Sequence, residues 1–171
     1  MRGWWRGVGF ASLLAGALMI ASNPARAEFG GSIAGGLGAF DFLHNYTAAE
    51  GRVEFRFDQS LFYLRPLVGT LFTNKGSVYA YGGFRLELPI GKHLLILPSA
   101  AVGYYEKGGG KDLGSHVEFK TGAEIDLVFA NGIRVGPAFD HISNAGISKK
   151  NPGEENLMLM VSVPLGIISL P

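Results

Sequence analysis

The chain contains no cysteine, so neither disulfide cross-links nor a thiolate site can enter its chemistry. Beyond its first 27 residues it has no uninterrupted apolar run long enough to cross a bilayer as a helix, which takes about 20 residues. It lacks a G-x-S-x-G element, which argues against the strand–turn–helix nucleophile of a soluble α/β-hydrolase. His44, His93 and His116 have no paired metal-ligand spacing and read as structural histidines. Gly108-Gly109-Gly110-Lys111 lacks the spaced glycine and the Lys-Ser/Thr ending of a phosphate loop, and reads as a flexible connection. No metal or other cofactor is expected.

What is present begins with Arg2 and Arg6, an uncharged apolar stretch from Val8 to Ala21, and Ala25-Arg26-Ala27. Residues 1–27 are expected to be a secretory signal peptide with a small-x-small cleavage site, and residues 28–171 a single domain. Without Arg2, Arg6 and Arg26, 15 basic residues become 12 against 14 acidic ones, a formal charge of −2. The basic whole-chain balance therefore gives no reason to expect a nucleic-acid partner.

Hydrophobic residues make up 47% of the chain, and alternation explains where they go. From Val117 to Phe129 the odd positions read Val, Phe, Thr, Ala, Ile, Leu, Phe, while the even positions from His116 to Asp126 read His, Glu, Lys, Gly, Glu, Asp. That is a strand with one apolar and one charged face. Residues 50–58 and 78–88 repeat the pattern, and eight strands are predicted at about 30–42, 50–58, 61–73, 77–89, 92–105, 114–129, 132–142 and 155–167. Many reach ten residues, the length of a tilted membrane-spanning strand. Short connections near 58–61, 89–92 and 130–132 alternate with longer ones at 43–49, 105–114 and 143–154, as periplasmic turns alternate with outer loops. Tyr46, Phe62, Tyr63, Phe72, Tyr79, Tyr104 and Tyr105 fall near strand ends, where an aromatic girdle would lie. The expected fold is all-β, an eight-stranded antiparallel transmembrane β-barrel of the outer membrane; the competing architecture is a secreted β-sandwich.

Strand phase then gives one polar cluster a location. In Phe139-Asp140-His141-Ile142-Ser143-Asn144-Ala145-Gly146 a base stands beside a hydroxyl, and Glu155 follows fourteen residues after the histidine. These are the parts needed to activate a serine for attack on an ester. His141 is in phase with the apolar Phe139, Pro137, Val135 and Ile133, and Glu155 with Leu157, Leu159, Val161 and Val163. Parity therefore puts both on the lipid-facing side at the outer end of adjacent antiparallel strands, and selects Glu155 over Glu154. An ionisable pair there is a functional candidate. The competing reading makes His141 an interfacial side chain among headgroups, and Asn144-Ala145-Gly146 and Asn151-Pro152-Gly153 ordinary turns.

At these residues the chain resembles the lipid A 3-O-deacylase family, the PagL-type outer-membrane esterases. The resemblance is carried by His141-x-Ser143-Asn144-Ala145-Gly146, by the spacing to Glu155, and by a leader followed by an eight-stranded layout; its specific part covers about 139–156. It implies Ser143 as nucleophile, His141 as general base, Glu155 as the residue orienting the histidine, and Asn151 as a contributor to oxyanion stabilisation, with Asn144 and Gly146 shaping the loop. The implied substrate is the ester-linked 3-hydroxyacyl chain of lipid A, so the expected partner is lipopolysaccharide of the outer leaflet. A homodimer is compatible with the sequence. The terminus Ser169-Leu170-Pro171 departs from the aromatic residue on which outer-membrane barrels usually finish, a departure that bears on assembly and not on the site. Two other functions stay open: a non-enzymatic barrel serving adhesion or envelope integrity, and a phospholipase or acyltransferase using the same three residues.

Overall fold

The computed structural model describes residues 30–45 and 47–167. The expected signal peptide and Tyr46 lie outside the described residues.

Strands form wherever the sequence alternates. They are β1 Gly31–Phe40, β2 Ala48–Phe57, β3 Arg65–Thr73, β4 Val78–Arg85, β5 Leu88–Ile90, β6 Leu94–Glu106, β7 Val117–Val128, β8 Arg134–Ser143 and β9 Glu154–Pro164. Each pairs antiparallel with its neighbour, β1 closes on β9, and β4 pairs with β6, so eight strands complete a ring. The three-residue β5 folds back on Leu94–Ile96 as a hairpin through Gly91, whose positive φ suits a tight turn. Closure of the ring leaves its eight long strands each paired on both sides among the described residues, which removes the open edge a flat sheet would expose.

Two predicted strands are shortened, each for a local reason. The stretch 61–64 is a turn closed by the reciprocal Leu61–Leu64 bridge, with Phe62 and Tyr63 at positive φ. The stretch 77–89 is interrupted after Arg85, where the Glu87 carboxylate is drawn towards Arg134 (2.7 Å), Arg85 (3.0 Å) and Arg65 (3.5 Å).

The two faces of the wall are chemically opposite. Along β9, Glu154, Asn156, Met158, Met160 and Ser162 are buried inside, while Leu157, Leu159 and Val161 stand exposed outside. Ile33, Leu37, Val53, Val68, Phe84, Val102, Ile125 and Phe139 extend the outer apolar belt around the ring. In a soluble protein a continuous patch of this extent would be a liability, whereas lipid is its natural solvent. Leu159 sits midway along β9, opposite Leu37 on one side and Pro137 on the other. Leu159→Arg is therefore expected to destabilise the barrel by about 2–4 kcal/mol in lipid. Equilibrium urea unfolding in vesicles would measure this, and an unchanged midpoint would contradict a lipid-facing Leu159.

Inside, the basic side chains of β2 and β7 are paired with carboxylates. Arg56 donates to Glu124 (2.6 and 3.0 Å) and Glu54 (2.8 Å), Arg52 to Glu50 (2.7 and 3.0 Å) and Asp140, and Lys120 to Asp140 (2.9 Å). Towards the end with longer connections the filling turns aromatic, with Phe40, Tyr79, Tyr81 and Tyr105 packed together. Tyr79 and Tyr105 thus leave the expected girdle and point inward, their hydroxyls donating to the Glu118 and Lys111 carbonyls. Phe62, Tyr63, Phe72 and Tyr104 remain outside.

Candidate active site

Where β8 meets β9, antiparallel register puts the Cα of His141 directly opposite that of Glu155. Both side chains point to the outer face, between the inward Asp140 and Ile142 on one strand and Glu154 and Asn156 on the other. Imidazole Nδ1 lies 3.1 Å from Glu155 Oε1. The histidine ring is 43% exposed and the carboxylate 19%, so the base is open to the surroundings and its partner is mostly covered. A carboxylate on Nδ1 selects the tautomer that leaves Nε2 free to accept a proton. Gly153 reaches over the ring with a positive φ, and a Cβ there would stand 2.7 Å from His141 Cε1, so glycine supplies the clearance the imidazole needs.

Ser143 is the last residue of β8 and shares the outward phase of His141. Two residues along a strand place these side chains about 7 Å apart at their Cα atoms. Among the described residues no hydrogen bond joins Ser143 to the His141 ring.

The 144–153 connection is held firmly. Asn144 is fully buried; its Nδ2 donates to the carbonyls of Leu113 and Lys150 (both 2.8 Å), and its Oδ1 accepts from Gly146 N (3.0 Å). Ala145 takes a left-handed conformation, φ 52°, directly after this anchor. Asn151 is exposed, and its Oδ1 accepts from Asn144 N at 3.0 Å, which fixes the oxygen end of the amide and leaves Nδ2 as a donor. Lys150 donates to Asp112 (2.9 Å), tying this loop to the 107–116 connection and holding the Asp112 carboxyl below its ordinary range.

A further histidine stands at the site that sequence patterning assigned no role. His44, in the 41–47 connection, brings Nδ1 within 3.1 Å of both Asp41 Oδ1 and Glu155 Oε2. It is far upstream of the His141 motif, and only closure of β1 against β9 brings it there.

A family model described as Lipid A 3-O-deacylase (PagL) matches residues 21–164. The chain belongs to the lipid A 3-O-deacylase family. The lipid A deacylase PagL of Pseudomonas aeruginosa is 39% identical over 57 residues, a stretch covering 33% of this chain and 33% of that protein. Among solved structures, the outer membrane enzyme PagL superposes with a TM-score of 0.57 at 23% identity, over 78% of this chain and 99% of that one. The neisserial surface protein A, NspA, superposes almost as well, with a TM-score of 0.55 at 10% identity over 79% and 96%. Superposition alone thus identifies the eight-stranded outer-membrane barrel and does not separate the deacylase family from other small barrels; the family match rests on sequence.

Proposed function

We propose that this chain is an outer-membrane serine esterase that hydrolyses the 3-O-linked hydroxyacyl chain of lipid A, with its site facing the outer leaflet. The observation that carries the reading is the His141–Glu155 pair, held in register on the apolar outer face with Ser143 next in phase on the same strand. Family membership gives that pair its substrate class. An ester near the headgroup boundary can reach an outward site without entering the barrel.

Ser143 Oγ attacks the ester carbonyl while His141 Nε2 takes its proton, and Glu155 steadies the imidazolium that results. Collapse of the tetrahedral intermediate returns the proton to the departing 3-hydroxyl of lipid A and leaves Ser143 acylated. Water then attacks the acyl-enzyme with His141 again as base, and free hydroxy acid leaves. Hydrogen bonds of this kind commonly tighten only when substrate seats, so the open Ser143–His141 spacing is compatible with the role. Asn151 Nδ2, oriented by its own oxygen's bond to Asn144 N, is assigned to the developing oxyanion.

Mass spectrometry of lipid A from cells with and without the chain tests the reading. One hydroxyacyl mass should disappear; an unchanged spectrum from a folded, membrane-inserted barrel would overturn it. Asn151→Ala is expected to lower kcat by about 10²–10³-fold, the usual worth of one oxyanion donor. Full activity in that variant would remove Asn151 from the mechanism.

A further inference from the structure

The 41–47 connection is built so that a second histidine reaches the outer carboxylate of the proposed triad. Phe42 N donates to Glu155 O at 3.1 Å, continuing the β1–β9 pairing beyond the end of β1. Phe42 also meets Phe139 edge-on, with ring centroids 6.1 Å apart. The chain then turns at Asp41–His44, closed by His44 N donating to Asp41 O (3.1 Å), and Thr47 Oγ1 ties the turn by donating to the carbonyls of Asp41 (3.1 Å) and His44 (3.0 Å). Asp41 is fully buried at φ 54°, with its N–H on Glu154 Oε2 (3.3 Å) and its Oδ1 receiving Lys111 Nζ (2.6 Å). A strained, buried aspartate persists only where its surroundings over-determine it, and here they aim His44 at Glu155.

The result is a row of groups running Lys111, Asp41, His44, Glu155, His141. Glu155 Oε1 faces His141, and Oε2 faces His44 at 3.1 Å. Oε2 is buried and accepts no hydrogen bond; His44 Nδ1 meets hydrogen-bonding geometry with Asp41 instead. The Asp41 oxygen is already served by the Lys111 ammonium, while the Glu155 oxygen is not, so a small ring rotation moves the donor to where it is more needed. The Asp41, His44 and Glu155 ligand atoms also lie within 4.8 Å of one another, a spacing that a cation could use. Lys111 already places a positive charge on Asp41 Oδ1, which favours an internal role over a metal.

We infer that His44 is a positioning residue: it secures Glu155 Oε2 so that Oε1 stays on His141 Nδ1 and the base keeps the tautomer and orientation that Ser143 requires. This inference rests on the proposed Ser143–His141–Glu155 esterase. His44 touches no reacting atom and acts through Glu155 alone.

The test measures steady-state kinetics on purified lipid A in detergent micelles, with heat-modifiable mobility reporting a folded barrel. His44→Ala should lower kcat on the order of 10-fold with little change in KM, as loss of an orienting outer partner does. His44→Asn, whose Nδ2 is attached at the position of Nδ1, should recover most of that loss. In a Glu155→Ala background His44→Ala should cost nothing further, because its route to the histidine is gone. Equal losses in both backgrounds, a KM effect alone, or full activity in His44→Ala would overturn the inference. So would activity abolished by a chelator and restored by zinc, which would make the cluster a metal site. A wild-type chain without deacylase activity would instead sink the esterase reading itself, and Ser143→Ala separates the two cases.

Discussion

Ser143→Ala is expected to reduce lipid A deacylation by roughly 10⁴–10⁶-fold while the barrel still inserts and folds, and His141→Ala should do the same. The magnitude follows from the division of labour: without the hydroxyl there is no acyl-enzyme, and without the imidazole the hydroxyl is a poor nucleophile. Because the two act as a unit, the double variant should be scarcely worse than either single one. Both residues lie on the outer face at the end of β8, away from the interior ion pairs, and when His141 is removed the mostly covered Glu155 carboxylate keeps a second histidine, His44, at 3.1 Å. Stability should therefore move little, within about 0.5 kcal/mol, as for surface positions generally. Single-turnover assays on lipid A together with denaturant unfolding would separate the two quantities. Retained activity in Ser143→Ala would exclude the serine mechanism, and the rival of a non-enzymatic barrel predicts that neither substitution changes any property.

Arg52→Ala should have the opposite profile, with a large loss of stability. The guanidinium lies inside the barrel with its side chain 2% exposed, binding Glu50 through two nitrogens and Asp140 through a third. Removing it leaves Asp140 with Lys120 alone among these cations and takes from Glu50 both hydrogen bonds that Arg52 donates to Oε1, while its Oε2 already accepts none. Breaking a buried ion pair by deleting one partner typically costs about 3–5 kcal/mol, because the other charge stays buried and uncompensated. Equilibrium unfolding in vesicles measures it, and a change below about 1 kcal/mol would show that the interior network is not what holds the barrel. Asp140 directly precedes His141 with its side chain on the opposite face. This substitution therefore also loosens the inner anchor of the strand segment carrying the proposed base.

Much of this was legible from alternation alone. Because side chains on a strand have a period of two, the apolar phase of 133–141 and of 155–163 put His141 and Glu155 on one outer face, and the observed register makes them direct partners. The strand count came from the same periodicity. Alternation does not report where a strand yields to a local interaction, as at the Leu61–Leu64 turn or at Glu87 among its arginines. Nor does it distinguish an aromatic in the girdle from one in the lumen when both lie near a strand end, so strand-end position alone assigns Tyr79 and Tyr105 to the girdle while the structure buries them inside. His44 was invisible for another reason. It lies in a connection with no phase of its own, and its neighbourhood with Glu155 arises only from closing β1 on β9.

Among the described residues, Arg52, Arg56, Lys120 and their carboxylates fill the barrel interior where a wider barrel would leave an open lumen. An ion crossing such a barrel would have to displace buried, paired charge, a costly step. For the proposed esterase this separates two tasks: the inner face of each strand seals the barrel, and the outer face of the same strands is left to carry the site.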